Sequence, residues 1–226
     1  MFKSWLVIPI LSAALTGGLI GAEDFAGYRG LQFGMSLDAA AKQTGARLAD
    51  AKVLHQRPAV IQELEWQLDP PALDDRTKAD PVKNVLMSFF NGELFRMVVT
   101  YDRHRVEGMT PEDMIGGISA TYGTATRPSV QISYRSDYAE VAPLIARWEN
   151  PEYSYNLVRT GDHSSFAMIL YSKRLDALAQ AAITEAIRLD QQEAPKREMA
   201  EREKQAEAER QVLDAARSAN KPNFRP

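Results

Sequence analysis

The chain contains no cysteine among its 226 residues. That absence excludes disulfide staples, a thiolate nucleophile, thiolate metal ligands and a lipid anchor on an N-terminal cysteine. Stability must come from an ordinary apolar core. Histidine is scarce as well: only His55, His104 and His163 are present. None is spaced for a transition-metal site, and no Gly-x-Ser-x-Gly elbow supplies a serine nucleophile for a histidine base. Each histidine reads as a surface residue. A basic excess is also missing, with 27 Lys and Arg against 30 Asp and Glu, a net charge of -3. A general nucleic-acid binder needs a dense basic patch to displace counterions from phosphates, so that class is excluded. No glycine-rich phosphate loop occurs, because Gly116-Gly117 falls inside a predicted helix.

What the sequence does have begins at its N-terminus. Lys3 precedes an uncharged stretch over residues 5–22 that is apolar in its first part and ends Ile20-Gly21-Ala22. A basic end, an apolar core and a small-residue site are the parts of a secretory signal. Cleavage is expected after Ala22. The rival reading, a retained anchor, is opposed by Gly17, Gly18 and Gly21 in the second half and Pro9 in the first. The protein is therefore expected to be periplasmic or secreted. Loss of Lys3 leaves 26 − 30 = −4 charges on the mature chain. No second apolar run is long enough to span a membrane.

Helix-start chemistry then appears twice. Ser36 is placed to cap a helix running to Thr44 and stopping at Gly45. Thr110, followed by Pro111, Glu112 and Asp113, is placed to cap a second helix ending at Tyr122 before Gly123. After the first helix the pattern predicts strands over 47–55, 60–68, 84–90 and 93–101, with Asn91-Gly92 as a type I′ hairpin turn. Residues 69–76, rich in Pro and Asp, read as a loop. After the second helix, strands are expected over 129–134, 143–148, 153–160 and 164–171. Glu149-Asn150-Pro151-Glu152 and Gly161-Asp162-His163 read as turns.

The halves align. Gly34-Met35-Ser36 matches Gly108-Met109-Thr110 at an offset of 108 − 34 = 74, and Trp66 matches Trp148 at 148 − 66 = 82. Phe95-Arg96-Met97-Val98-Val99 matches Phe166-Ala167-Met168-Ile169-Leu170 at 166 − 95 = 71. The offset drops where the first half carries its long loop, as a duplicated unit would show. Capping chemistry alone is the competing explanation. The expected fold class is α+β: two helix-plus-four-stranded antiparallel units, possibly one continuous sheet, followed by a long C-terminal helix. The expected division is a signal at 1–22, units at 23–106 and 107–190, and a charged helical tail at 191–226 with a disordered end. The two Gly-Met-Ser/Thr helix starts, each before antiparallel strands, resemble the exported modules of the beta-lactamase inhibitor protein and of the SmpA/OmlA outer-membrane assembly lipoproteins. That resemblance covers Gly30 to about Tyr171 and implies a tandem fold and a non-enzymatic binding role. It carries over no binding residue, and the cysteines of both groups are absent here.

The tail differs in kind. Apolar residues from Leu175 to Leu189 recur at helical spacing, so this segment is expected to dock on the sheet. Pro195 is expected to interrupt it. Residues 196–216 are mostly Glu, Lys, Arg, Gln and Ala, with Met199, Ala206 and Leu213 seven apart. They read either as a solvated helix or as a helix that orders against a partner. Residues 218–226 are expected to be disordered.

Few residues point to chemistry. Asp69, Asp74, Asp75 and Asp80 offer oxygen ligands suited to calcium but match no calcium loop, and a plain connector is the simpler reading. Glu63 and Glu65 are too ordinary on a strand to mark a glycosidase. No catalytic, cofactor or metal residues are assigned. The aromatics Tyr134, Trp148, Tyr153 and Tyr155 are the candidate binding residues, since Tyr and Trp are enriched in hot spots. The opposing reading packs them beneath the C-terminal helix as core. The sequence thus predicts a non-enzymatic, exported protein-binding module with an envelope or secreted partner, no nucleic acid and no cofactor. A carboxylate-dependent hydrolase of envelope material and a small-ligand carrier are the alternatives.

Overall fold

The structure, a computed structural model, describes residues 25–68, 80–133, 140–159, 165–223 and 225. The signal segment, the Pro/Asp loop, Tyr134 and the Gly161-Asp162-His163 turn lie outside them.

The described chain opens with a hairpin that the sequence pattern did not announce. Strands β1 (Gly27–Tyr28) and β2 (Leu31–Gln32) flank Arg29 and Gly30, at φ 52° and 83°. Positive φ at both turn positions matches the twist of the paired strands. Helix α1 (Leu37–Thr44) starts at Ser36, whose Oγ accepts from the Ala39 amide at 3.2 Å, and stops at the left-handed Gly45. A short 3-10 turn, Leu48–Asp50, follows, so the strand expected from residue 47 shrinks to β3 (Lys52–His55). Local bonding wins there: Ala51 donates back to the Leu48 carbonyl, and Arg47 pairs with Asp50 at 2.7 Å. β4 (Ile61–Gln67), β5 (Val82–Phe90) and β6 (Glu93–Tyr101) complete the first run of strands. Asn91 and Gly92 take φ 49° and 84° at the β5–β6 turn, as the dipeptide predicts.

Helix α2 (Pro111–Tyr122) carries a full capping box. The Thr110 hydroxyl accepts from the Asp113 amide, and the Asp113 carboxylate accepts from the Thr110 amide. Then come β7 (Gln131–Ser133), β8 (Val141–Glu149), β9 (Tyr153–Arg159) and β10 (Phe166–Ser172). Helix α3 (Lys173–Asn220) leaves β10 without a loop, with Ser172 as its cap. It continues through Pro195, which was expected to interrupt it. A proline here forfeits one helical hydrogen bond, but the surrounding turn is exposed, so water can satisfy the released carbonyl. The expected disordered end is helical to Asn220 and closes with a 3-10 turn, Lys221–Asn223.

The protein is α+β. One eight-stranded antiparallel sheet has the order β3-β4-β5-β6-β10-β9-β8-β7, with β1 and β2 forming a separate pair. The two most remote strand runs therefore meet at the centre, through β6 and β10. One sheet face carries Leu64, Val85, Met87, Met97, Val99, Trp148, Leu157 and Met168 against α1, α2 and Leu31. The other carries Ile61 and Phe95 against Leu175, Ala179 and Ile183 of α3. A second small cluster on that face, Leu144, Val158, Ala167 and Ile169, includes Ile132 of β7 at its margin. Three layers result, with the sheet in the middle.

Candidate functional site

The four aromatics singled out from sequence separate in three dimensions. Tyr134 lies outside the described residues. Tyr155 is fully buried, with its ring edge-on to Phe25 and Tyr122 at 5.0 and 4.9 Å. Its hydroxyl donates to the carbonyl oxygens of Phe25 and Gly27. Trp148 is buried too, and its Nε1 donates to Ser119 Oγ and the Gly123 carbonyl at 3.1 and 3.0 Å. These two rings fasten the N-terminal segment and α2 to the sheet. They lie on the face opposite α3, so the expectation that they pack beneath the C-terminal helix is corrected. Alternation along β9 puts Tyr155 on one face with Tyr153 but does not say which helix covers that face.

Tyr153 alone of the three described aromatics lines a cleft. Its ring stacks on Phe33, with centroids 5.3 Å apart and planes 17° from parallel. Gly34, Pro151, Glu152, Ser172, Arg174 and Leu175 complete the walls of a hollow of about 260 Å³. Three elements meet there: the turn that follows β2, the β8–β9 turn and the first turn of α3. The turn is held by Asn150, whose Oδ1 accepts from the Glu152 and Tyr153 amides at 2.9 and 2.7 Å. The Lys173 amide donates to the Glu152 carbonyl at 2.9 Å, and Lys173 Nζ pairs with Glu149 at 2.6 Å.

A second cleft, of about 270 Å³, is lined by Asp50, Lys52, Glu63, Glu65, Gln67 and Leu86. It lies on the α3 side of the sheet, beyond the part that the helix covers. Glu63 and Glu65 point the same way from β4, one strand repeat apart. Glu65 accepts a hydrogen bond from Asn84 Nδ2. The register carries a polar row across the sheet from this cleft: Lys52 opposite Glu63, Glu63 opposite Ser88, Ser88 opposite Arg96, and Arg96 opposite Tyr171. Arg96 is buried at the centre of that face. It bonds Asp176 of α3 through Nε at 2.9 Å and the Ser133 carbonyl at 2.8 Å, with the Tyr171 ring 5.3 Å away. The sequence held one signal for this group, a lone arginine inside the apolar run of β6. A charge there requires a partner.

Of the titratable groups outside the clefts, Asp80 and Tyr101 are held by the fold. Of the four aspartates that could have held calcium, Asp80 is ion-paired with Arg29, whose hydrogen bond holds its carboxyl below the usual range. The other three lie outside the described residues. Burial pushes the Tyr101 hydroxyl above its ordinary range, so it stays neutral and donates to Met168 Sδ at 3.1 Å. His104 is exposed in a loop, 4.0 Å from Glu107. Among the described residues no cluster of His, Asp and Glu is arranged to hold a metal ion, and no helix is long and apolar enough to cross a membrane. Compared with family models, with curated proteins and with solved structures, the chain finds no match.

Proposed function

We propose that this chain is a non-enzymatic, exported binding module that engages another envelope or secreted protein through the distal half of α3. The observation that carries the reading is the fate of that helix. Residues 194–223 are exposed throughout the part described, including Met199, Val212 and Leu213, each more than half exposed. About 30 residues at 1.5 Å each project roughly 45 Å. A helix of that length gains little stability without a packed face, so a partner is the natural source of its order. The export step rests on the Lys3-to-Ala22 segment, and the resemblance to tandem exported binding modules agrees with a non-enzymatic role.

The body that presents the helix is, in this reading, a duplicated unit. Each half supplies a helix and four strands, and the strand order reads the same from both edges. The offset of 71 makes Ile169 the counterpart of Val98, since 98 + 71 = 169. Those two residues pair with each other across β6 and β10. Equivalent residues meet in this way when a twofold axis relates two copies of one unit.

The test is co-purification from envelope extracts with a tagged mature chain and a chain truncated before Pro195. A stoichiometric partner captured by the first and lost by the second supports the assignment. Equal capture by both moves the interface to the body, and capture by neither overturns it. A second reading, a carboxylate-dependent hydrolase of envelope material, is favoured by one observation: Glu63 and Glu65 line the same cleft. Turnover that disappears in a folded Glu65→Gln protein would replace the first reading. The aromatic sheet face that a small-ligand carrier would use is filled by α1, α2 and the hairpin.

A further inference from the structure

We propose that the cleft at Tyr153 binds a small zwitterion carrying an apolar side chain, of the class of an α-amino acid or a very short peptide. This site is separate from the distal half of α3 and does not depend on it. The argument starts from charge. Glu152 and Arg174 both line the cleft and are exposed, and among the described residues neither side chain has an ion pair or hydrogen bond. Their immediate neighbours behave otherwise, because Glu149 and Lys173 pair with each other at 2.6 Å. The cleft thus presents one carboxylate and one guanidinium, each available. A simple anion would be repelled by Glu152 and a simple cation by Arg174. A ligand with both signs satisfies both: its carboxylate takes the planar guanidinium fork, and its ammonium faces Glu152.

The apolar part of the wall sets the rest of the ligand. Tyr153 and Phe33 form a stacked pair, and Pro151 and Leu175 flank it. An aromatic or large aliphatic side chain suits such a surface. The Cα of Gly34 faces open space, since a Cβ built there meets nothing within 4 Å. The hollow of about 260 Å³ is smaller than the usual drug-sized site, so it suits a ligand of about one to two dozen heavy atoms. The charged groups sit on supported backbone. The Asn150 side chain fixes the Glu152 turn, the Lys173 amide ties that turn to α3, and Ser172 caps the helix that carries Arg174. Preorganisation of this kind reduces the ordering cost of binding.

The experiment is titration of the full mature chain with phenylalanine, phenylalaninamide, N-acetylphenylalanine and the dipeptide Phe-Phe, followed by ligand-observed NMR. Saturable binding by the zwitterions is expected, weakened about fivefold by blocking either end, in keeping with a partly exposed ion pair. Arg174→Gln should remove the advantage of a free carboxylate, and Glu152→Gln that of a free amine. Both positions are exposed, so neither change threatens the fold. Tighter binding of Phe-Phe assigns the site to peptide ends, and tighter binding of phenylalanine assigns it to free amino acids. No saturable binding by either zwitterion overturns the proposal, as does equal binding of the blocked forms. The chain truncated before Pro195 should bind as the full chain does, which separates this result from the fate of the tail.

Discussion

Removal of the Asp176 carboxylate is the most demanding perturbation of this fold. Arg96 and Asp176 have side-chain exposures of 1% and 7% and sit 2.9 Å apart, joining the middle of the sheet to the first turn of α3. Asp176→Ala leaves a guanidinium that cannot shed its proton in a site closed to water. The Ser133 carbonyl and the Tyr171 ring remain as neutral contacts. The expected loss is about 3–5 kcal/mol, or roughly 6–20 °C in Tm for a chain of this size. Arg96→Met should cost less. The Asp176 carboxylate keeps the Gln180 amide as a donor at 3.3 Å. The double change Arg96→Met with Asp176→Leu should lie within about 1 kcal/mol of the parent, because an apolar pair of similar volume replaces a buried ion pair at little net cost. Urea unfolding of all four proteins at pH 7 measures these differences. An Asp176→Ala loss under about 1 kcal/mol, or one smaller than that of Arg96→Met, refutes the reasoning.

Three further outcomes follow from local geometry. Trp148→Phe removes the donor shared by Ser119 Oγ and the Gly123 carbonyl and leaves a void under α2, so the urea midpoint should drop by the equivalent of about 1–3 kcal/mol. Gly92→Ala should cost about 1–2 kcal/mol from backbone strain alone, because φ is 84° and a Cβ there meets nothing within 4 Å; an unchanged midpoint would show that the turn relaxes. Hydrogen bonds from Arg57 and Arg197 hold the exposed Glu193 carboxyl down at about 2. A depressed folded value means that its contribution is present above the ordinary glutamate range and is lost as pH falls towards 2. Carboxyl-detected NMR should find that low midpoint at low salt and see it rise at high salt, and an ordinary midpoint at low salt removes the clamp from the account.

Features set by local chemistry could be read directly from the chain. Ser36, Thr110, Gly45 and the Asn91-Gly92 turn all do in three dimensions what their residue types require nearby. The strand expected from residue 47 was lost to a competing local interaction, the Arg47–Asp50 turn, which propensity does not rank against a ladder. The Arg29-Gly30 hairpin was missed because its strands are two residues long, too short for any alternation to register. Strand order was beyond reach for a different reason. Pairing of β6 with β10 joins residues about seventy apart, and nothing in either strand names the other. The candidate site divided along the same line. Tyr153 could be nominated by type, but its cleft is assembled with Phe33 from the N-terminal segment and Arg174 from α3.

The two ends of α3 obey different logic, and the difference bears on function. From Leu175 to Ala186 the helix buries a stripe at helical spacing, with Leu175, Ala179, Ile183 and Ala186 against the sheet side. The Arg96 ion pair fixes its start, and Arg57 reaches Glu193 at 2.5 Å at the far edge. Up to that point the helix is tied to the body by a buried stripe and by ion pairs at both ends. Past it, Arg197 turns back to Asp190 and Glu193, and Arg202 to Glu198, so the charged side chains serve only the helix itself. Deleting residues 195–226 should then change the unfolding free energy of the body by no more than about 0.5 kcal/mol, because it uncovers no buried apolar surface. A larger loss would mean that the tail folds back onto the body in solution. An unchanged body would leave about 30 residues whose helical order contributes nothing to their own domain, and their role must then be sought in a surface that the chain itself does not supply.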